Sequence, residues 1–204
     1  MSSVIASWAR IDAWLQRHVP AGWAMLADPA DPSDIAAAQA RLGLEFPADL
    51  VESLRCHNGL RGWASILPEG EHLSVARIVE VRELWMEIAE SEGRFAVEEP
   101  GGQPWWHPLW LPFGESVGGD ALVIDLRPGP GFGQMGWAVH DGCGDFDDPW
   151  PSLGAYLQAT ADGLVHGTDA KDKFPYLTAE GELWWTFADT AELDGAPLRP
   201  APTD

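Results

Sequence analysis

An α+β fold, a mostly antiparallel sheet flanked by helices, is what the sequence predicts, and three observations lead there. Segments with helical apolar spacing and segments of strand character come in groups, in the order helices, strands, a helix, more strands and a helix, not in strict alternation. Three strand-like segments between residues 110 and 140 are joined by short Gly- and Pro-rich connections, as in an antiparallel meander. The chain has 204 residues, 46% apolar and 22% charged, enough to bury a core without disulfide or metal staples.

Val4, Ile5, Trp8, Ile11 and Leu15 share one helical face, with Ser2 or Ser3 placed to cap it, and Pro20 and Gly22 end that helix. Asp31-Pro32-Ser33-Asp34 reads as a cap, a proline at the first helical position and an acid in the first turn. The alanine-rich helix it opens runs to Gly43. Pro47 opens a third, where Leu50, Val51, Leu54 and His57 share a face and Asn58-Gly59 supplies a left-handed stop. Trp63 to Leu67 reads as a short strand before Pro68, and Leu73 to Val79, rich in β-branched residues, as another. Val81, Leu84, Trp85 and Ile88 predict a helix ending before Gly93, and residues 93–104 an exposed loop. Strands follow at Trp110–Phe113, Ala121–Leu126 and Gln134–His140. Ser152 caps a last helix with Leu153, Tyr156, Leu157 and Thr160 on one face. Leu183–Phe187 reads as an edge strand or packing arm, and Gly195–Asp204 as a loose tail.

Charge narrows the function. Twelve Lys and Arg against 32 Asp and Glu give −20, with a pI near 4.4. Such a surface repels phosphate backbones and anionic membranes, so no nucleic-acid or membrane partner is expected and a basic protein partner is. Residues 141–204 hold 13 acids and 3 bases, half of the net charge. Cys56 and Cys143 are far apart and in no C-x-x-C pair, and the six histidines lack ligand spacing, so neither a disulfide framework nor a metal or cofactor site is expected. No basic region followed by a long apolar stretch opens the chain and no apolar run reaches membrane-spanning length; the expectation is a cytoplasmic location.

Two motifs suggest chemistry. Gly114-Glu115-Ser116-Val117-Gly118 matches the G-x-S-x-G nucleophile elbow, with His140 or His166 following in hydrolase order. A strand-like run follows it, where the elbow needs a helix, so a serine hydrolase using Ser116 is a remote alternative to a Gly-rich loop between strands. Gly129-Pro130-Gly131-Phe132-Gly133 resembles a phosphate loop, but Pro130 removes a donor and no helix follows. The densest acidic cluster is Asp141, Asp145, Asp147 and Asp148. It reads as a solvated face, a contact patch for a basic partner or a hard-cation site, and it lacks EF-hand spacing. Trp105-Trp106 and Trp184-Trp185 are adjacent pairs in which, on a strand, one ring must face outward; Trp106 is taken as an interface anchor.

An ordered set of short motifs carries a resemblance. Pro47-x-Asp49-Leu50 opens a helix ending in Asn58-Gly59, and Leu67-Pro68 and a strand–helix unit through Trp85 come next. Trp110-Leu111-Pro112-Phe113 follows, then Gly118-Gly119-Asp120 leading into Leu122–Asp125, a turn at Gly133-Gln134 and the Ser152-Leu153 helix. The set resembles the SUKH superfamily, specifically its Smi/Knr-type cell-wall-regulator branch, over roughly residues 30–165. The resemblance implies a SUKH-like α+β domain with no catalytic constellation. Bacterial members of that family neutralise polymorphic or contact-dependent toxins, often nucleases, and fungal members act as scaffolds in cell-wall and stress signalling. Ala, Gly and Pro richness with only two lysines, Lys171 and Lys173, favours the bacterial version.

The expectation is therefore a non-catalytic immunity protein binding a basic, nuclease-type toxin, with a regulatory scaffold as the alternative. Residues 1–166 would form the domain, with an N-terminal helix included, and 167–204 an extension made of a partly ordered arm and the tail. Glu115, Asp120, Asp125, Asp141, Asp145, Asp147, Asp148 and Trp106 are the candidate partner-binding residues.

Overall fold

The computed structural model describes residues 4–97 and 101–204, so the expected caps Ser2 and Ser3 lie outside the described residues. Helix α1 (Val4–His18) buries Trp8, Ile11, Trp14 and Leu15 and leaves Ile5 exposed. Pro20 does not end the helical region but opens a short α2 (Pro20–Trp23), since a proline is tolerated where the N–H would be unpaired anyway. Asp31 caps α3 (Pro32–Leu42) by accepting from Ser33 N, and Gly43 stops it in the left-handed conformation. Helix α4 (Ala48–Cys56) follows Pro47.

Residues 63–67 are irregular, not a strand, although Ala64, Ile66 and Leu67 are buried. The expected strand over 73–79 is also absent. Only Glu71–His72 pairs, as β1, and α5 (Val75–Glu92) begins at once. Two caps override the β-branched run. Ser74 Oγ accepts from Arg77 N, and Asn58 Oδ1 accepts from Val75 N at 2.8 Å. Asn58-Gly59 thus starts α5 instead of stopping α4. Gly59 lies so close to Ser74 N that a Cβ there would stand 2.5 Å away.

The main sheet comprises β1, β2 (Trp110–Glu115), β3 (Ala121–Asp125), β4 (Met135–Ala138) and β5 (Gly144–Trp150), all antiparallel and in sequence order. The meander was expected; β5 was not, because Asp145, Asp147, Asp148 and Pro149 argue against an interior strand. It lies at the edge, where carboxylates and proline discourage further pairing. Every residue of β3 and all but the last of β2 are buried, so both faces of the central sheet are covered. On one face Trp85 of α5 stacks on Trp105 and meets Trp106, which packs edge-on against Trp110. On the other, Tyr156 of α6 (Leu153–His166) meets Phe113 and Trp150 edge-on. Ser152 caps α6 as expected.

After α6, a second sheet forms in the order β10 (Arg199–Pro200), β6 (Lys173–Leu177), β7 (Leu183–Phe187), beside a small hairpin of β8 (Glu192–Leu193) and β9 (Ala196–Pro197). It packs onto the rest: Trp185 Nε1 donates to Ile66 O at 3.1 Å, and Leu177, Leu183 and Trp185 join the core. The chain end is tied down where a loose tail was expected. Trp14 Nε1 donates to Pro202 O at 3.0 Å, Asp204 N to Val165 O at 3.0 Å, and the Asp204 carboxylate meets Arg17 and His18. No helix among the described residues is long and apolar enough to cross a membrane.

Candidate functional site

A cavity of about 410 Å³ forms an open groove where the 63–71 segment, the β2–β3 turn and the second sheet meet. Its aromatic walls are Trp63, Trp137, Trp184 and Trp185, and its carboxylates are Glu69, Glu71 and Glu115. Trp63 is 53% exposed, and its ring centroid lies 6.1 Å from that of Trp184. Strand alternation places Trp184: on β7, Leu183 and Trp185 turn to the core and Trp184 and Thr186 turn away. Gly70 allows the turn into β1, since a Cβ there would stand 2.4 Å from Glu115 O.

The three carboxylates differ in commitment. Glu115 grips Arg77 through two hydrogen bonds of 2.9 and 3.0 Å, and Glu69 accepts from Trp137 Nε1 at 3.1 Å. Glu71 Oε1 is out of solvent with no hydrogen-bond partner among the described residues. Burial, then the negative charge of Glu115, hold the Glu71 carboxyl above the usual range. The groove's lone cation among its lining residues, Lys173, donates to Pro68 O at 3.1 Å.

Of the expected contact residues, Glu115 lines this groove and the others lie elsewhere. Asp141, Asp145, Asp147 and Asp148 are exposed along the turn before β5 and on β5 itself. Asp145 bonds Asp147 N, and Asp148 pairs with Lys171, whose ammonium lies over the Trp150 ring. Among the described residues no His, Cys, Asp and Glu are grouped to hold a metal ion.

Two expected contacts are corrected. Asp125 is 2% exposed and pairs with Arg127 through bonds of 2.6 to 2.9 Å. It holds Arg127 over Trp110 and Phe146 and is not available to a partner. Trp106 is fully buried, and Trp105 is nearly so. The outward-facing argument needed a strand, and these two lie in irregular chain, which can turn both rings inward.

Ser116, Asp120 and His140 come together, but in the wrong order for acyl transfer. Ser116 Oγ accepts from the N–H groups of Gly118 and Asp120 and lies 3.4 Å from Asp120 Oδ2. His140 Nδ1 bonds the other oxygen of Asp120 at 2.8 Å. The carboxylate stands between hydroxyl and imidazole, whereas a nucleophilic serine needs the imidazole next to it. The trio closes the β2–β3 turn and ties it to the end of β4. Burial pushes the Asp120 carboxyl up, and the His140 N–H and ring together with Ser116 outweigh it and hold it below its usual range.

The sequence reading missed the groove because its parts are dispersed. Glu69 and Glu71 flank a glycine in a four-residue stretch, and Trp63 was assigned to a strand. The one usable signal was Trp184-Trp185, where strand alternation turns one ring outward.

Comparison with known proteins places these features in a wider setting. A family model described as the SMI1 / KNR4 family (SUKH-1) matches residues 29–159. A cell wall biosynthesis/cell cycle regulator of Schizosaccharomyces pombe is 31% identical over an alignment covering 67% of this chain and 31% of that protein. A cell wall assembly regulator of Saccharomyces cerevisiae is 24% identical, covering 90% of this chain and 45% of its own length. A glucan synthesis regulatory protein of Neurospora crassa is 23% identical, covering 62% of this chain and 32% of its own. This chain therefore spans less than half the length of each of these relatives.

Proposed function

This chain belongs to the SMI1 / KNR4 family (SUKH-1), and from that premise we propose that it is a non-catalytic regulatory module that works by binding other proteins. The observation that carries the reading is the relationship itself: the curated relatives named above are regulators of cell-wall assembly, cell-wall biosynthesis or glucan synthesis. The geometry supports it, because the open groove is walled by tryptophans and lined with carboxylates, the chemistry of polypeptide recognition. The immunity reading rests on the bacterial members of the family, on acidity and on residue usage, and the relatives named above favour the scaffold. Both readings share a basic partner and a cytoplasmic setting.

The test is affinity capture on the immobilised chain from an extract of its own organism, at low and high salt, followed by assay of what is retained. A signalling or wall-synthesis protein whose activity or localisation changes when the chain is removed is the expected result. A toxic enzyme inhibited one-to-one would replace it with immunity. Hydrolysis of a p-nitrophenyl ester that disappears in Ser116→Ala would overturn the non-catalytic reading.

A further inference from the structure

We propose that the groove receives an extended segment of a partner protein that presents an arginine or lysine side chain to Glu71, over the rings of Trp63 and Trp184. This rests on the protein-binding reading and adds the partner's chemistry and the place where it docks.

Three independent features converge there. Glu71 is the carboxylate left over: Glu69 and Glu115 already have partners, and one Glu71 oxygen has none. A cation arriving beside this carboxylate would relieve the repulsion from Glu115, a gain available to no neutral or anionic ligand. Trp63 and Trp184 supply ring faces at the same opening, which attract a guanidinium or ammonium and cover the aliphatic stem behind it. Val117, 90% exposed at the rim, gives an apolar neighbour somewhere to rest. The net charge of −20 draws a basic segment toward this opening and repels an acidic one.

The groove also has two origins. Trp63, Glu71 and Val117 lie within the stretch matched by the family model, whereas Lys173, Trp184 and Trp185 lie beyond it. Specificity for the cationic segment is thus written partly in the C-terminal sheet.

The test is selection from a display library of random peptides of about 12 residues against the intact chain, followed by calorimetric titration of the enriched peptides. Enriched sequences should carry Arg or Lys beside an apolar residue. Trp63→Ala should weaken their binding about fivefold or more, and Glu71→Gln about tenfold. Both variants should keep the thermal melt of the parent, since Trp63 is half exposed and Gln preserves the shape of Glu71. No enrichment, or enrichment of peptides without a basic residue, overturns the proposal. So does enrichment of basic peptides indifferent to both substitutions, although such peptides would leave the protein-binding reading standing.

Discussion

His72 sits wholly inside the protein between the rings of Trp8 and Phe113, with neither ring nitrogen hydrogen-bonded among the described residues. Burial, then the positive charge of His57, push its pKa down to about 3. Between pH 6.5 and about 3 the unfolded chain binds a proton here and the native one does not. Stability should therefore fall on acidification, by about 1.4 kcal/mol per pH unit well inside that window. His72→Phe should remove this slope, so the variant should gain on the parent as pH falls. Parallel plots of Tm against pH would refute the assignment. His57 acts in the opposite sense: burial works to lower its pKa, but the bond to Asp12 and that carboxylate's charge outweigh it. It contributes stability that is complete below its unfolded pKa and lost as pH rises through the raised folded value. His57→Gln should accordingly flatten the alkaline side of the same plot and, by removing a charge that helps to depress His72, ease the acid side slightly. Asp125 makes a third case. Removing it leaves Arg127 at the edge of the aromatic core with Gln103 as its remaining hydrogen-bond partner, and Asp125→Ala should cost about 2–3 kcal/mol in urea unfolding. A loss near zero would mean that the site tolerates water and that Asp125 is an accessible acid after all.

At the level of elements, strong local chemistry was legible and tertiary capping was not. Asp31, Gly43 and Ser152 mark helix ends by interactions within a few residues, and the sequence shows them directly. The start of α5 has Ser74 as a local cap and Asn58, 17 positions before Val75, as a second, and the β-branched run at 73–79 outweighs the local signal in the sequence. β5 was hidden for the converse reason: its acids describe a solvent edge, and an edge strand is recognised by its neighbour β4 more than by its own residues. The groove was least legible, because five separate chain segments between residues 63 and 185 build it. Gly163 shows how one residue seats two of these elements. A Cβ there would stand 2.9 Å from the Trp185 ring and 3.0 Å from Thr168 O. Helix propensity alone would make Gly163→Ala stabilising by about 1 kcal/mol. Displacing the buried ring of Trp185 should reverse the sign and leave a net loss of about 1–3 kcal/mol by urea titration. A stabilised variant would show that β7 can move away freely.

On the scale of the whole molecule, the residues matched to the family pack against elements on both sides of the match. The match covers 29–159, yet α1 lies before it and packs on α4 and α6, with Trp8 Nε1 bonded to Ser53 Oγ at 3.0 Å. The second sheet lies after it and covers Ile66 and Leu67 with Trp185, Leu177 and Leu183. The chain end then returns to α1 through Trp14, Arg17 and His18, so the first and last elements clamp each other. A fragment of residues 29–159 should consequently lack a cooperative thermal transition and near-ultraviolet dichroism. A fragment of residues 1–166 keeps α1 but exposes Ile66, Leu67 and the α6 surface under Trp185. If it folds, its Tm should lie about 5 °C or more below that of the full chain, equivalent to about 2 kcal/mol for a protein of this size. An unchanged Tm for 1–166 would make the C-terminal sheet a separable attachment. It would also weaken the case that the sheet helps to shape the groove, because a wall that contributes nothing to the fold is free to swing away from it. A single transition lost from both fragments would instead bind the tryptophans of β7 to the core, and with them the place of Trp184 in the groove wall.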